Sequence, residues 1–169
     1  MLSDRLCQVE KILSHYRQQV SCKELALTTT PDEDKVRIKL QIANLKTEMQ
    51  PYEQEYWEIV SQQSELVEIS EQEAQFAVAE IVEQVGEIEV SSSTYPDEIL
   101  ILLKEIRAQL NQPGKSAAAK LKGVISSIPP FVGISYEAEL DTEKFLYNYF
   151  PTFTSLIKAA IKKNSFFEL

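Results

Sequence analysis

Glycine, cysteine and histidine are scarce in this chain: four, two and one residues among 169. So few glycines leave little room for a phosphate-cradling loop or a turn-rich β-barrel. One histidine and two cysteines exclude chemistry that needs several such ligands. Long apolar runs are missing too. The longest, residues 99–103, has five members, against about 20 for a membrane span. The amino terminus, Met1-Leu2-Ser3-Asp4-Arg5-Leu6, turns polar at once and lacks the apolar stretch of a secretory signal.

Positive charge is the most local absence. Residues 47–103 hold fourteen acids and no lysine or arginine, whereas 1–46 carry eight basic and six acidic groups and 104–169 carry nine and six. The net charge is −9. An acidic central third repels a phosphate backbone, so no nucleic-acid partner is expected. That third makes either solvated faces or a docking surface, for a basic partner or for the chain's own basic carboxy-terminal third. The remaining composition, 44% hydrophobic and 25% charged, is that of a globular protein. Cys7 and Cys22 lie fifteen residues apart in one predicted helix, about 22 Å, too far for a disulfide. Free thiols with no secretory signal lead to the expectation of a cytoplasmic location.

What the sequence does contain is helical periodicity. Leu2, Leu6, Val9, Leu13, Tyr16 and Val20 recur at alternating steps of four and three. Ile38, Ile42, Leu45, Met49, Tyr52, Tyr56 and Ile59 do the same. Such a 3.5-residue seam belongs to a helix packing along a partner helix. Between the seams, Thr30-Pro31-Asp32-Glu33 reads as a capping box that starts the second helix near Pro31. Two such helices with a short joint predict an antiparallel, coiled-coil-like hairpin, with a kink or short break at Pro51. Tyr52, Tyr56 and Trp57 are its expected junction with other structure, as core or as a pocket.

Further on, Ser70-Glu71-Gln72-Glu73 is a second capping box, opening a helix that Gly86 is expected to stop. Residues 87–90 alternate polar and apolar as a short strand would, and 91–94 form a polar linker. A helix follows Tyr95-Pro96, and Asn111-Gln112-Pro113-Gly114 ends it. An alanine-rich helix from about Ser116 is expected to stop at Pro129-Pro130. Val132, Ile134, Tyr136, Ala138 and Leu140 then alternate with polar or small residues, which predicts a strand over 131–140, its mate residues 87–91 or a second molecule. Asp141 caps the next helix, and Pro151 starts the last, through Lys163. That last helix sets Phe153, Leu156, Ile157, Ala160 and Ile161 on one side, with Lys158, Lys162 and Lys163 as its only charges. Such a face docks on its own domain, enters an acidic groove or lies on an anionic membrane. The terminal Phe166 and Phe167 pack back or form a short recognition peptide.

Catalytic patterns fail on spacing. Gly114-Lys115-Ser116 lacks the earlier glycine of a phosphate loop, since position 109 is glutamine, and no strand precedes it. His15 has no second ligand of its kind. Carboxylate pairs such as Glu53 with Glu58 and Glu80 with Glu83 abound at helical spacing, and none stands out as a raised-pKa acid. No Glu-x-x-His motif of a di-metal bundle and no calcium loop is present. The expectation is a chain with no catalytic, cofactor-binding or metal-binding residues.

The stretches Thr30-Pro31-Asp32-Glu33 and Lys39-Leu40-Gln41-Ile42 resemble the short coiled-coil regions attached to bacterial conflict-system signalling proteins. Those proteins often carry a NACHT-type NTPase or a caspase-like effector. Pro113-Gly114-Lys115-Ser116-Ala117-Ala118-Ala119-Lys120-Leu121-Lys122 and Tyr136-Glu137-Ala138-Glu139-Leu140-Asp141-Thr142-Glu143 look like segments of similar uncharacterised bacterial proteins. The resemblance implies an adaptor or effector-associated role and assigns no functional residue.

Together these readings predict a mainly α protein: a helical hairpin over 1–67, an acidic helix and linker over 68–94, and a helical module over 95–169 with at most a short two-stranded β element. The expected function is a non-enzymatic protein–protein interaction module that self-associates through Leu6, Val9, Leu13, Tyr16, Ile38, Ile42, Leu45 and Met49. The alternative is a peripheral membrane effector acting through Phe153, Ile157, Lys158, Ile161 and Lys162.

Overall fold

The computed structural model describes residues 2–91 and 95–167, with side chains over 4–91 and 95–163. The protein is mainly α. Its described residues form seven α-helices and one 3-10 turn, Ser64–Leu66, with no strand among them. The chain divides into two compact units, Met1–Tyr56 and Trp57–Leu169.

The first unit contains helix α1, Leu2–Leu27, and most of α2, Asp32–Gln63. The joint is made by three threonines. Thr28 donates its hydroxyl to the Leu25 carbonyl at 2.7 Å, while Thr29 and Thr30 both donate to that of Ala26, at 3.3 and 2.6 Å. The hydroxyls satisfy carbonyls that the end of α1 leaves without helical partners. Thr30 therefore closes α1 and does not cap α2. α2 begins at Asp32, and Asp32, Glu33 and Asp34 meet the positive end of its dipole. Pairs across the joint match low numbers with high ones, Arg5 with Glu55 and Lys23 with Gln41, so α1 and α2 run antiparallel. Pro51 does not break α2. It lies exposed in an unbroken helix, so its ring faces solvent.

In the second unit α3, Glu71–Val90, packs against α4, Asp97–Leu110, against α5, Ala117–Glu137, and against α7, Pro151–Phe167. The short α6, Thr142–Tyr149, bridges α5 and α7. Ile81, Ile88, Ile99, Leu103, Ile106, Leu110, Leu121, Ile125, Phe131, Phe150 and Phe153 form its fully buried core.

Four expectations are corrected here. Residues 87–90 are the last turn of α3, and Gly86 sits inside that helix. Residues 131–137 are not a strand, since α5 runs through Pro129-Pro130 to Glu137. Its buried set, Leu121, Val124, Ile125, Ile128, Phe131, Val132 and Ser135, follows the helical spacing, and that continuous face outweighs a five-residue alternation. The helix stops at Ala138. The Glu139 amide donates to Tyr136 and the Leu140 amide to Ser135, with Glu139 at φ 59°. This Schellman arrangement places a glutamate where glycine is usual. The expected linker at 92–94 and the aromatic tail at 166–167 lie outside the residues whose side chains are described.

Candidate interaction surfaces

The seam residues lie inside the chain. Leu6, Val9, Leu13, Ile42 and Met49 are buried, Val9 completely, and Tyr16, Ile38 and Leu45 are half-buried. Tyr16 stacks on Tyr52 with ring centroids 5.9 Å apart. Polar pairs edge this seam. The Arg5 guanidinium forks onto Glu55, with Nε at 2.5 Å from Oε1 and NH2 at 2.8 Å from Oε2. Hydrogen bonding from Arg5 holds the Glu55 carboxyl below its ordinary value, and the same bond raises the guanidinium. Arg17 faces the buried Glu53 across 3.8 Å, and Lys46 stands 3.9 Å from Glu24.

The carboxy-terminal helix also turns its apolar side inward. Phe153, Ile157 and Ile161 are buried. Lys158 donates to the Tyr147 hydroxyl at 2.7 Å, lies over the Tyr147 ring at 4.6 Å, and stands 3.6 Å from Glu143. Lys162 is exposed. No helix among the described residues is long and apolar enough to cross a membrane.

The acids of α3 differ in what they meet. One set works within the second unit. The Glu71 carboxylate accepts from the backbone amides of Ala117 and Ala118 at 2.7 and 3.2 Å, covering the amino terminus of α5. Glu80 accepts from the amide and hydroxyl of Thr152 at 2.9 and 2.7 Å, doing the same for α7. Glu89 takes Arg107 of α4 in a fork, both contacts at 2.8 Å. Carboxylates placed on free helix amides satisfy both hydrogen bond and dipole. The other set, Glu73, Glu83 and Glu87, is exposed with Phe76 and Val90. Sequence reasoning left the acidic third as solvated faces or a docking surface and did not find these contacts.

Sequence reasoning also missed the outward face of α2. Val36 and Leu40, one turn apart, are 74% and 61% exposed. Ala43 continues the row, and Arg37 and Lys39 flank it, all exposed. The row lies opposite the buried Ile42 and Met49 on the helical wheel. Leu25 on α1 is exposed as well, at 72%.

A cleft of about 350 Å³ lies between α4 and α5, lined by Gln109, Gln112, Lys115, Lys120 and Ser126 beside Ala119 and Gly123. Elsewhere in this unit the Tyr95 and Tyr149 hydroxyls meet at 2.5 Å. Burial, with that bond, pushes the Tyr95 phenol up to about 12. Cys7, Cys22 and His15 are exposed, and no group of three potential metal ligands occurs among the described residues. The arrangement defines a mainly α protein with exposed apolar residues one turn apart, Val36 and Leu40, on α2. The chain matches no family model, no curated protein and no solved structure.

Proposed function

We propose that this chain is a non-enzymatic protein-interaction module, an adaptor or scaffold, and that the outward face of α2 is its docking surface. The observation that carries this reading is Val36 and Leu40, exposed one turn apart on the side of α2 opposite its buried seam, with Arg37 and Lys39 beside them. A second apolar row on a helix whose first row is already buried gains nothing for the fold, and exposed apolar rows rimmed by charge mark protein contacts. The adaptor role implied by the conflict-system resemblance agrees with this reading. Self-association through Leu6, Val9, Leu13 and Met49 would require the hairpin to open and exchange helices, because those side chains are buried in the single chain.

Placing a photo-crosslinking benzophenone residue at position 40, and at exposed Lys144 as the control, tests the reading in cells that make the protein. A protein adduct is expected from position 40 and none from position 144. Equal adducts from both, or none from either, overturn it.

A further inference from the structure

We propose that the cleft between α4 and α5 binds a small phosphorylated polyol, such as a sugar phosphate. This site lies in the second unit and is independent of the α2 face.

The cleft forms where α4 gives way to α5. Gln109 comes from the last turn of α4, Gln112 and Lys115 from the connection, and Lys120 from the first turn of α5. Gly114 holds the connection at φ 87°, a left-handed value that favours glycine. Ala119, Gly123 and Ser126, at steps of four and three along α5, are small and leave the space open. A Cβ on Gly123 would meet one atom, Gln109 Oε1, at an ordinary 3.6 Å, so packing admits alanine there and does not require glycine. The volume, about 350 Å³, falls in the range of roughly 300–1,000 Å³ that small-molecule sites occupy.

Charge selects the ligand. The protein carries −9 overall, yet residues 106–136 hold Arg107, Lys115, Lys120 and Lys122 and no acid. Every residue lining the cleft falls within that stretch. Two acids border the region, Glu105 one turn before Gln109 and Glu71 on the first amides of α5, and neither lines the cleft. Glu71 and Ser116 already occupy the amides of Ala117, Ala118 and Ala119, so side chains and not the helix end must hold a ligand. Among the described residues, the side chains of Gln109, Gln112, Lys115 and Lys120 have no hydrogen-bond or ion-pair partner. Two ammonium groups balance the nearly two negative charges of a phosphate monoester and meet its oxygens as point charges. A single carboxylate would leave one of them unmatched. The carboxamides both donate and accept, as hydroxyl groups do. No aromatic side chain lines the cleft, so a nucleobase would find nothing to stack on. A phosphate on a hydroxylated carbon skeleton answers both the lysines and the glutamines.

The experiment is a nitrogen-15 NMR titration of the full chain with glucose 6-phosphate, inorganic phosphate and glucose, at constant ionic strength. Glucose 6-phosphate is expected to shift the amides of Gln109, Lys120 and Gly123 saturably, half-way at about 0.1–1 mM. Inorganic phosphate should bind at least about threefold more weakly, and glucose at least about tenfold. Lys115→Gln with Lys120→Gln should weaken binding about tenfold or more, and Gly123→Leu, which fills the cleft, should do the same. Lys122→Gln with Lys144→Gln removes equal charge outside the cleft and should stay within about twofold of wild type. Should Gly123→Leu disturb the circular dichroism, Ala119→Gln at the exposed neighbouring position replaces it. No saturable shift, phosphate binding as tightly as glucose 6-phosphate, or an equal loss in the Lys122 and Lys144 control overturns the proposal. So does binding that survives a filled cleft.

Discussion

Glu139 occupies a left-handed backbone position, φ 59°, at the end of α5. A side chain there costs about 1 kcal/mol relative to glycine. Glu139→Gly should therefore raise unfolding stability by roughly 0.5–1 kcal/mol, read by urea denaturation, because the two closing hydrogen bonds involve only backbone. The Arg5–Glu55 pair makes a different residue-scale prediction. Its carboxyl is held below its unfolded value, so its stabilisation is complete above about pH 4.3 and is lost as pH falls through the lower folded value. The melting temperature of wild type should exceed that of Glu55→Gln at neutral pH, and the gap should close under acid.

Among the elements, helix starts were more legible than helix ends. Ser116 and Asp141 cap α5 and α6 by accepting the amides of Ala119 and Lys144. The stops misled because proline and glycine are local punctuation, while a helix ends where its buried face ends. Gly86 continues α3 because Val85 and Ile88 on either side of it are buried, and Pro129-Pro130 continue α5 because Ile128, Phe131 and Val132 are. An added methyl at Gly86 meets nothing within 4 Å, so Gly86→Ala should stabilise by about 0.5–1 kcal/mol in the same urea assay. The exposed α2 row was not legible for a related reason. Heptad reading assigns each helix one apolar seam, and Val36 and Leu40 lie off it. The Glu71 contact was hidden as well, since its partners, Ala117 and Ala118, are 46 and 47 residues away. Glu71→Ala should cost about 1–2 kcal/mol, because the first amides of α5 lose a charged acceptor.

For the molecule as a whole, fourteen acids with no cation over 47–103 leave a net charge of −9. Glu71, Glu80 and Glu89 are offset by helix amides or by Arg107, while Glu73, Glu83 and Glu87 face solvent together. Self-repulsion among the exposed set destabilises the compact state and is screened by salt. Raising sodium chloride from about 10 to 200 mM should therefore raise the melting temperature, and Glu83→Gln with Glu87→Gln should flatten that rise.

The position of α3 in the chain sets an order of events during synthesis. Its carboxylates await the starts of α5 and α7, which follow Glu71 and Glu80 by 46 and 72 residues. At about 5–20 residues per second the ribosome delivers those partners several seconds after α3 emerges. For that interval α3 has only α4 of its three packing partners, and part of its apolar stripe of Ile81, Val85 and Ile88 waits uncovered. Slow translation over residues 91–150 lengthens that exposure, and a chaperone that holds α3 until α7 is made would raise the yield of folded protein.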